Sequence, residues 1–473
     1  MPSGPLNFDI VIVGNGVVGL ACAFALAERR SDLSVVVIGP KSRPGAASVA
    51  AGAMLGCYGE VTTHGLSTEL GRERFALQLR AKTLWPGWLD SLGERGHTLS
   101  LVRGTFVLVN ALSGDIEDEN FSTILRQLAA DGVHHQQVDK CDVPGLRSTT
   151  DARAFRAVYV PDEDAINAVE YIGALERILT QTPGVVLLDD VATALRVGDD
   201  GSVSGVRIGA GIEINSERVL LAAGVGCQTL IEQCAPLAGR LPKIFAGVGS
   251  SIIAGQPPER ISHVLRTPNR SFACGLHVVP RGERIYIGAT NTVSDAQETS
   301  PRLVDIQFLL DCVIPQISEP LHASAMFSTA TGCRPVASDG FPLIGDTSVE
   351  GLFIATGTFR DGIQLSPLLA QHMADLLVGG HGLLDDVFHP VRQPLWTLTI
   401  DEAVDLCARH YLSVFYENGC RLPTVGWEEL LLDLMKNEVR EMYKEYGDER
   451  LPPIDFIHLL RARKKSGTSA QLL

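Results

Sequence analysis

The sequence predicts an α/β fold: a Rossmann-type domain assembled from distant segments, interleaved with a second domain on a mixed or antiparallel β-sheet, and followed by a helical C-terminal extension. Three observations predict it. An apolar β-run at residues 10–13 ends in Gly14-x-Gly16-x-x-Gly19 and passes into a helix of small residues, Leu20-Ala21-Cys22-Ala23-Phe24-Ala25-Leu26-Ala27. Two further apolar strands, 218–224 and 352–357, end in small residues and glycine far along the chain. Between them, short alternating strands separated by Gly and Asp turns read as hairpins.

The glycine motif comes first. Gly14 permits the tight turn, Gly16 lets backbone approach a pyrophosphate, and Gly19 lets helix and strand pack closely. Behind them the helix start, with Val17 and Val18, offers free N–H groups and a positive dipole end to that anion. The competing reading is a purely structural glycine-rich turn. Residues 66–92 carry helical spacing around Leu70, Phe75, Leu77, Leu84, Trp85 and Leu89. Residues 105–110 read as a strand, 119–131 as a surface helix, 141–151 as a loop and 168–179 as a helix. Residues 185–188, 191–197, 203–208 and 212–221 are the hairpin run. Strands at 244–253, 275–280 and 285–289, with a helix near 303–313, form the main sheet of the second domain. The strand at 352–357 leads to a helix that Ser366 is expected to cap, with Pro367 at its first position. Beyond residue 391, amphipathic helices at 401–417 and 427–446 precede a basic end, Arg461-Ala462-Arg463-Lys464-Lys465. That extension docks on the core or a neighbouring subunit, or serves a partner, and the last eight residues are expected to be disordered.

Composition narrows the class. The chain has 473 residues, 45% hydrophobic and 20% charged, enough for two or three domains. A net charge of −15 argues against a general nucleic-acid or anionic-membrane role. The ten cysteines show neither C-x-x-C nor metal-ligand spacing, which fits thiols in a reducing compartment, and no metal is expected. No secretory signal pattern and no membrane-length apolar run is present, so a cytoplasmic protein is expected.

The second strand, 34–38, tests the nucleotide. An acid about 20 residues past the glycines ordinarily holds the adenosine ribose. Here Gly39 stands in its place, and Asp32 precedes the strand. Lys41 and Arg43 suit a 2′-phosphate and hence NADP, or are simply solvated loop charges. Ser42 or backbone is left to hold the ribose. Residues 43–55 are almost all small, with a helix expected at 48–54, which lets a bulky planar ligand lie against backbone. A nucleotide fold assembled from three distant segments around an insertion is typical of large FAD proteins.

With these pieces, together with His277–Arg281, Ile287-Gly288-Ala289-Thr290, Gly332-Cys333-Arg334-Pro335, Asp339-Gly340-Phe341-Pro342-Leu343-Ile344-Gly345 and Gly357-Thr358-Phe359-Arg360-Asp361-Gly362-Ile363, the chain resembles the D-amino-acid-oxidase-type flavoprotein family, and within it the glycine oxidase branch. The resemblance spans residues 8–390. It implies an FAD-binding domain of 1–90, 150–240 and 325–390, a substrate domain of 91–149 and 241–324, and an extension at 391–473. It implies non-covalent FAD and oxidation of an amine or amino acid at a CH–NH2 or CH–NH group α to a carboxylate. Hydride passes to flavin N5, giving an imine or keto product and, with O2, hydrogen peroxide. The cofactor would meet Gly14, Gly16, Val17, Val18 and Gly19; then Lys41, Ser42, Ser48, Ala51, Gly52 and Met54; then Val191, Ala223 and Gly224; and finally Gly357, Arg360, Asp361, Gly362, Ile363 and Gln364.

Such chemistry asks the protein to hold a carboxylate and aim a C–H bond. Arginine's planar fork suits the first task. By the resemblance Arg334, fixed in extended backbone by Pro335, is that clamp; the plainer alternative is an ion pair with Asp339. Arg360 is either an active-site residue or a partner of Asp361. His277 stands where glycine oxidases carry tyrosine and Asn291 where they carry methionine, so the pocket is more polar, glycine itself is in doubt and a polar or larger amine is the alternative. His277 also reads as an ordinary strand histidine, and His134 and His135 as solvated. Three other functions remain: a dehydrogenase passing electrons to a quinone or partner protein, a non-catalytic flavin-binding subunit, and an NADP-linked reductase. The extension leaves room for a homo-oligomer.

Overall fold

The structure, a computed structural model, describes residues 6–209, 211–270, 272–423, 425–446, 450–467 and 472. Six strands form the nucleotide-type sheet, in the order Leu343–Asp346, Leu352–Thr356, Val219–Leu221, Ile10–Val13, Val35–Ile38, Val185–Leu188. All pair in parallel except the Leu343–Asp346 edge. Ile10–Val13 and Val35–Ile38 are buried at every position, which is why they read as unbroken apolar runs rather than alternations. The helix Val17–Arg29 is buried from Val17 to Leu26. Its small residues let Ser366–Leu377 and Ala168–Gln181 pack against it.

The expected hairpin run divides. Ala192–Val197, Val203–Ile208 and Ile212–Asn215 do form an antiparallel sheet, with Leu6–Asn7 at its edge. The strands on either side join the parallel sheet instead. The expected strand 212–221 breaks at Ser216, whose hydroxyl donates to the Asp9 carbonyl and accepts the Arg218 amide.

The largest sheet runs Thr292–Ser294, Ile244–Gly255, Arg284–Gly288, His277–Arg281, Val264–Arg266, Thr105–Asn110, Ala154–Val160, Gln136–Val138, and Met326–Ala337 also pairs along Ile244–Gly255. It is mixed, because Val264–Arg266 and Thr105–Asn110 are parallel. Ala154–Val160 and Met326–Ala337, assigned by boundaries at 150 and 325 to the nucleotide domain, pair here. The helix expected on the surface at 119–131 begins at Asp115 and buries Phe121, Ile124 and Leu128.

The extension packs on this body. Ile400–Glu417 starts in a capping box of Thr399 and Glu402, and Trp427–Tyr443 lies against it. The basic end is helical too, at Ile457–Ser466, with Arg463 paired to Asp295. Leu398, Cys407, Tyr443, Leu451 and Phe456 form one cluster with Phe245, Val336 and Phe359 of the body. The expected disordered end falls partly outside the described residues, at 468–471 and 473; Ser466 ends the helix and Leu472 is buried. Among the described residues no helix is long and apolar enough to cross a membrane.

Candidate active site

A cleft of about 390 Å³ opens over the ends of the parallel strands. Gly14, Gly16, Val17, Val18, Ser48, Ala51, Val191, Ala223, Gly224, Gly362 and Ile363 line it, as do Arg334 and Arg360. The glycine turn is built by contact. Gly14 has φ +119°, and a Cβ there would lie 2.3 Å from the Ala222 carbonyl oxygen. A Cβ on Gly19 would lie 1.9 Å from the Gly14 oxygen, so this glycine serves packing and stays off the cleft. Gly224, at φ +59°, faces open space in the cleft. Ser48 Oγ accepts the Val17 amide at 3.1 Å. An open glycine-walled cleft at a helix start fits the phosphates and planar ring of a dinucleotide.

The missing ribose acid has a local cause. A Cβ on Gly39 would stand 2.4 Å from Asn15 Cγ and Oδ1. Asn15 holds that place by donating to the Pro40 carbonyl at 3.1 Å. Arg43 is neither solvated nor free for a 2′-phosphate. At φ +46° its side chain turns inward, donating to the Asn15 carbonyl at 2.9 Å and to Glu176 at 2.5 Å. Lys41 and Ser42 are exposed and lie off the cleft, the Lys41 amide bound to Asp189.

The expected helix at 48–54 is only Ala47–Ala50. Its continuation is pre-empted: Tyr286 Oη donates to the Ala50 carbonyl at 3.1 Å and Arg281 to the Ala51 carbonyl at 2.9 Å. Met54 instead bridges to Ala165, away from the cleft, and Gly52 makes room for His277, whose Nε2 would lie 3.1 Å from a Cβ there. Gly357, Asp361 and Gln364 also lie off the cleft. Gln364 donates to the Gln78 carbonyl and the Cys57 sulfur. Ser366 is no cap: its hydroxyl donates to the Ile363 carbonyl at 2.8 Å, because the helix starts at Ser366 itself.

Arg334 crosses the neighbouring strand over Gly249, where a Cβ would lie 2.1 Å from its Nη1. Nη1 donates to the Thr290 carbonyl at 3.1 Å and to Asn291 Oδ1 at 3.3 Å. Asn291 is itself anchored through Nδ2 to the Phe272 carbonyl at 3.0 Å. Asp339, the alternative partner, is taken by Arg392. Among the described residues no carboxylate pairs with Arg334, and its partners carry no charge. His277 is buried and stacks on Tyr286 with centroids 5.6 Å apart. Burial opposes ionisation of the nearby Cys274 thiol, but its hydrogen bond with His277 and the charge there bring it below its ordinary value.

Arg360 follows Phe359, which sits at φ +49°, and its guanidinium lies 4.4 Å over that ring. It donates to the Phe272 carbonyl at 3.2 Å and to Asp455 at 3.3 Å. The expected partner Asp361 instead binds Arg74, at 2.9 and 2.8 Å. Glu60 lies nearby. Burial would raise its carboxyl, but the charges of Arg266 and Arg360 hold it below the ordinary range. Tyr286, Asp455, Glu60 and Asn15 were missed in the sequence. Asn15, inside the glycine motif, is the one whose position offered a signal.

The family model of DAO, the FAD dependent oxidoreductases, matches residues 9–376. Glycine oxidase of Geobacillus kaustophilus is 27% identical over 378 residues, 78% of this chain and 93% of that enzyme. The crystal structure of glycine oxidase from Geobacillus kaustophilus shares the fold with a TM-score of 0.69 at 24% identity, over 82% of this chain and 99% of that one. The structure of iminodiacetate oxidase from Chelativorans sp. BNC1 gives 0.67 at 20% identity, over 80% and 98%.

Proposed function

The chain belongs to the DAO family of FAD-dependent oxidoreductases, and from that premise we propose that it oxidises an amino acid, or a related amine α to a carboxylate, to the imine, with O2 reduced to hydrogen peroxide. The observation that carries this reading is Arg334: a guanidinium at the cleft whose partners are a carbonyl and an amide oxygen, with no carboxylate among the described residues. A cation so placed favours an anionic ligand. Glycine oxidase, the relative named above, supports the same substrate class.

The glycine turn, Ser48, Val191, Gly224 and the Gly362–Ile363 loop would hold FAD. Bound there, FAD supplies the acceptor for the two electrons of the C–H bond. The protein's own part is positional. Arg334 receives the carboxylate in a fork, and Asn291 with the Thr290 carbonyl keeps that fork aimed. Arg360, its charge matched by Asp455, also lines the cleft, and His277 packs behind it against Gly52. Fixing the carboxylate and these neighbours orients the α-carbon before reaction, which lowers the entropic part of the barrier.

The test is an anaerobic screen of amino acids and amines against the holoenzyme, following loss of flavin absorbance, then oxygen uptake and peroxide formation for those that bleach it. Bleaching by α-amino acids with matching peroxide is expected. A flavin that no amino acid reduces would overturn the reading. Reduction without oxygen uptake would replace the oxidase with a dehydrogenase.

A further inference from the structure

A second cavity, of about 660 Å³, adjoins the first. Phe359 and Arg360 line both. One side of it belongs to the body, with Glu60, Asn120 and Phe272; the other belongs to the C-terminal extension, with Trp396, Leu406 and Phe456. We propose that this chamber is part of the substrate site and takes the large, mainly apolar substituent of an amino acid whose carboxylate is held at Arg334. The proposal rests on the function proposed above and names the substrate class that site selects.

Connectivity is the first argument. Arg334 lines the flavin cleft and Val336 lines the chamber. They lie on one face of one strand, roughly 7 Å apart along it. A substituent on an α-carbon held at Arg334 therefore reaches the chamber within the length of an ordinary side chain.

The lining is the second argument. Phe272, Phe341, Phe359, Trp396 and Phe456 are among the residues that line the space. The arginines there are already matched: Arg74 with Asp361, Arg360 with Asp455, Arg409 with Glu119. The lining acids Glu60, Asp339, Asp401 and Asp405 are likewise paired, with Arg266, Arg392, Arg440 and Lys436; paired charges offer little to a further ion, so apolar contact is the main means of recognition left. Glycine, with no side chain, would leave the whole space to water.

The third argument is the origin of the far wall. The family match ends at residue 376, so Trp396, Leu406 and Phe456 are additions to the matched fold. Asp455, from the same addition, holds Arg360 at the junction of the two spaces. The extension thus shapes the site beyond what the family match covers.

The experiment compares glycine, alanine, leucine, phenylalanine and tryptophan, both enantiomers, as anaerobic reductants of the holoenzyme. In parallel, acetate and phenylacetate are titrated against its flavin spectrum, which reads binding without turnover. Phenylalanine is expected to exceed alanine in kcat/KM, and phenylacetate to exceed acetate in affinity, by about tenfold or more. Leu406→Trp and, from the opposite wall, Ala273→Leu narrow the chamber and should shrink both ratios; two variants guard against one misfolding, which the flavin spectrum reports. Equal response to small and large ligands, or ratios unmoved in both variants, would overturn the chamber while leaving the proposed oxidation in place. Failure of every amino acid to bleach the flavin would take down both.

Discussion

Arg392 grips Asp339 through two hydrogen bonds, Nε to Oδ2 at 3.0 Å and Nη2 to Oδ1 at 3.1 Å. That pairing occupies the acid that the sequence offers as an alternative partner for Arg334. Arg334, with only the Thr290 carbonyl and Asn291 Oδ1 as hydrogen-bond partners among the described residues, keeps its charge for a ligand.

Truncating that guanidinium is the direct check. Arg334→Ala should raise KM for amino-acid substrates by roughly 10–100-fold, the equivalent of losing charge-assisted hydrogen bonds of about 1.5–3 kcal/mol. Its visible flavin spectrum should match the wild type, because Arg334 is not among the residues proposed to hold FAD. Steady-state kinetics with an unaltered KM would remove Arg334 from substrate binding.

The Arg392–Asp339 pair also predicts a stability effect. Asp339 is buried, so Arg392→Met strands a carboxylate and should cost about 3–5 kcal/mol. Adding Asp339→Leu should recover most of the loss, because two apolar groups replace the pair. Chemical denaturation of the single and double variants measures both numbers, and a double variant no more stable than Arg392→Met would contradict the account.

A second buried network joins the extension to the body. Arg270 is fully buried, 3.3 Å from Glu117 and 2.7 Å from Glu417, with Gln316 accepting at 2.9 Å. Two carboxylates share one guanidinium, and burial pushes the Glu117 carboxyl up. Glu417→Gln relieves one negative charge and should change stability by less than about 1 kcal/mol, whereas Arg270→Met leaves both acids unmatched and should cost about 3–5 kcal/mol. Unfolding curves at neutral pH distinguish the two; equal losses would mean that packing, not charge, governs this contact.

His410 gives the docking a pH dependence. Its Nδ1 accepts the Phe272 amide at 3.0 Å and its ring lies 5.0 Å from that of Phe272. Burial, then the positive charge of Arg360, pushes its pKa down to about 3 from an ordinary 6.5. The folded state therefore prefers the neutral ring. Its contribution is whole above about pH 6.5 and is lost as pH falls from there toward 3, by at most about 1.4 kcal/mol per unit. His410→Asn keeps an acceptor that does not titrate and should flatten that part of the stability profile. Parallel profiles for the two proteins would rule His410 out as the cause.

What was legible in the sequence was what local pattern encodes. A buried strand, Gly14-x-Gly16-x-x-Gly19 and a small-residue helix specify a backbone shape by themselves, and Arg334-Pro335 carries its own extended geometry. What was not legible depended on partners far along the chain. Nothing around Asp455 marks it as the partner of Arg360. Arg43 was misread because a left-handed turn swings it inward to Glu176. The helix expected at 48–54 is only Ala47–Ala50 because Tyr286 and Arg281, from distant strands, capture the carbonyls of Ala50 and Ala51.

Gly39 offers the closing test, since the fingerprint acid is missing there. The backbone does not forbid a side chain at Gly39; Asn15 does, its Cγ and Oδ1 standing 2.4 Å from any Cβ. Gly39→Asp must therefore push Asn15 aside and break its hydrogen bond to the Pro40 carbonyl. Such overpacking typically costs about 1–3 kcal/mol, and here it falls on the wall of the cofactor cleft, so both stability and FAD retention should drop. Asn15→Gly clears the space. The double variant Asn15→Gly/Gly39→Asp should regain FAD binding relative to Gly39→Asp alone, with the new carboxylate where a ribose-binding acid ordinarily stands. FAD affinity by fluorescence titration of the apoprotein reads the comparison. A Gly39→Asp variant that binds FAD as tightly as the wild type would show that Asn15 does not guard this position.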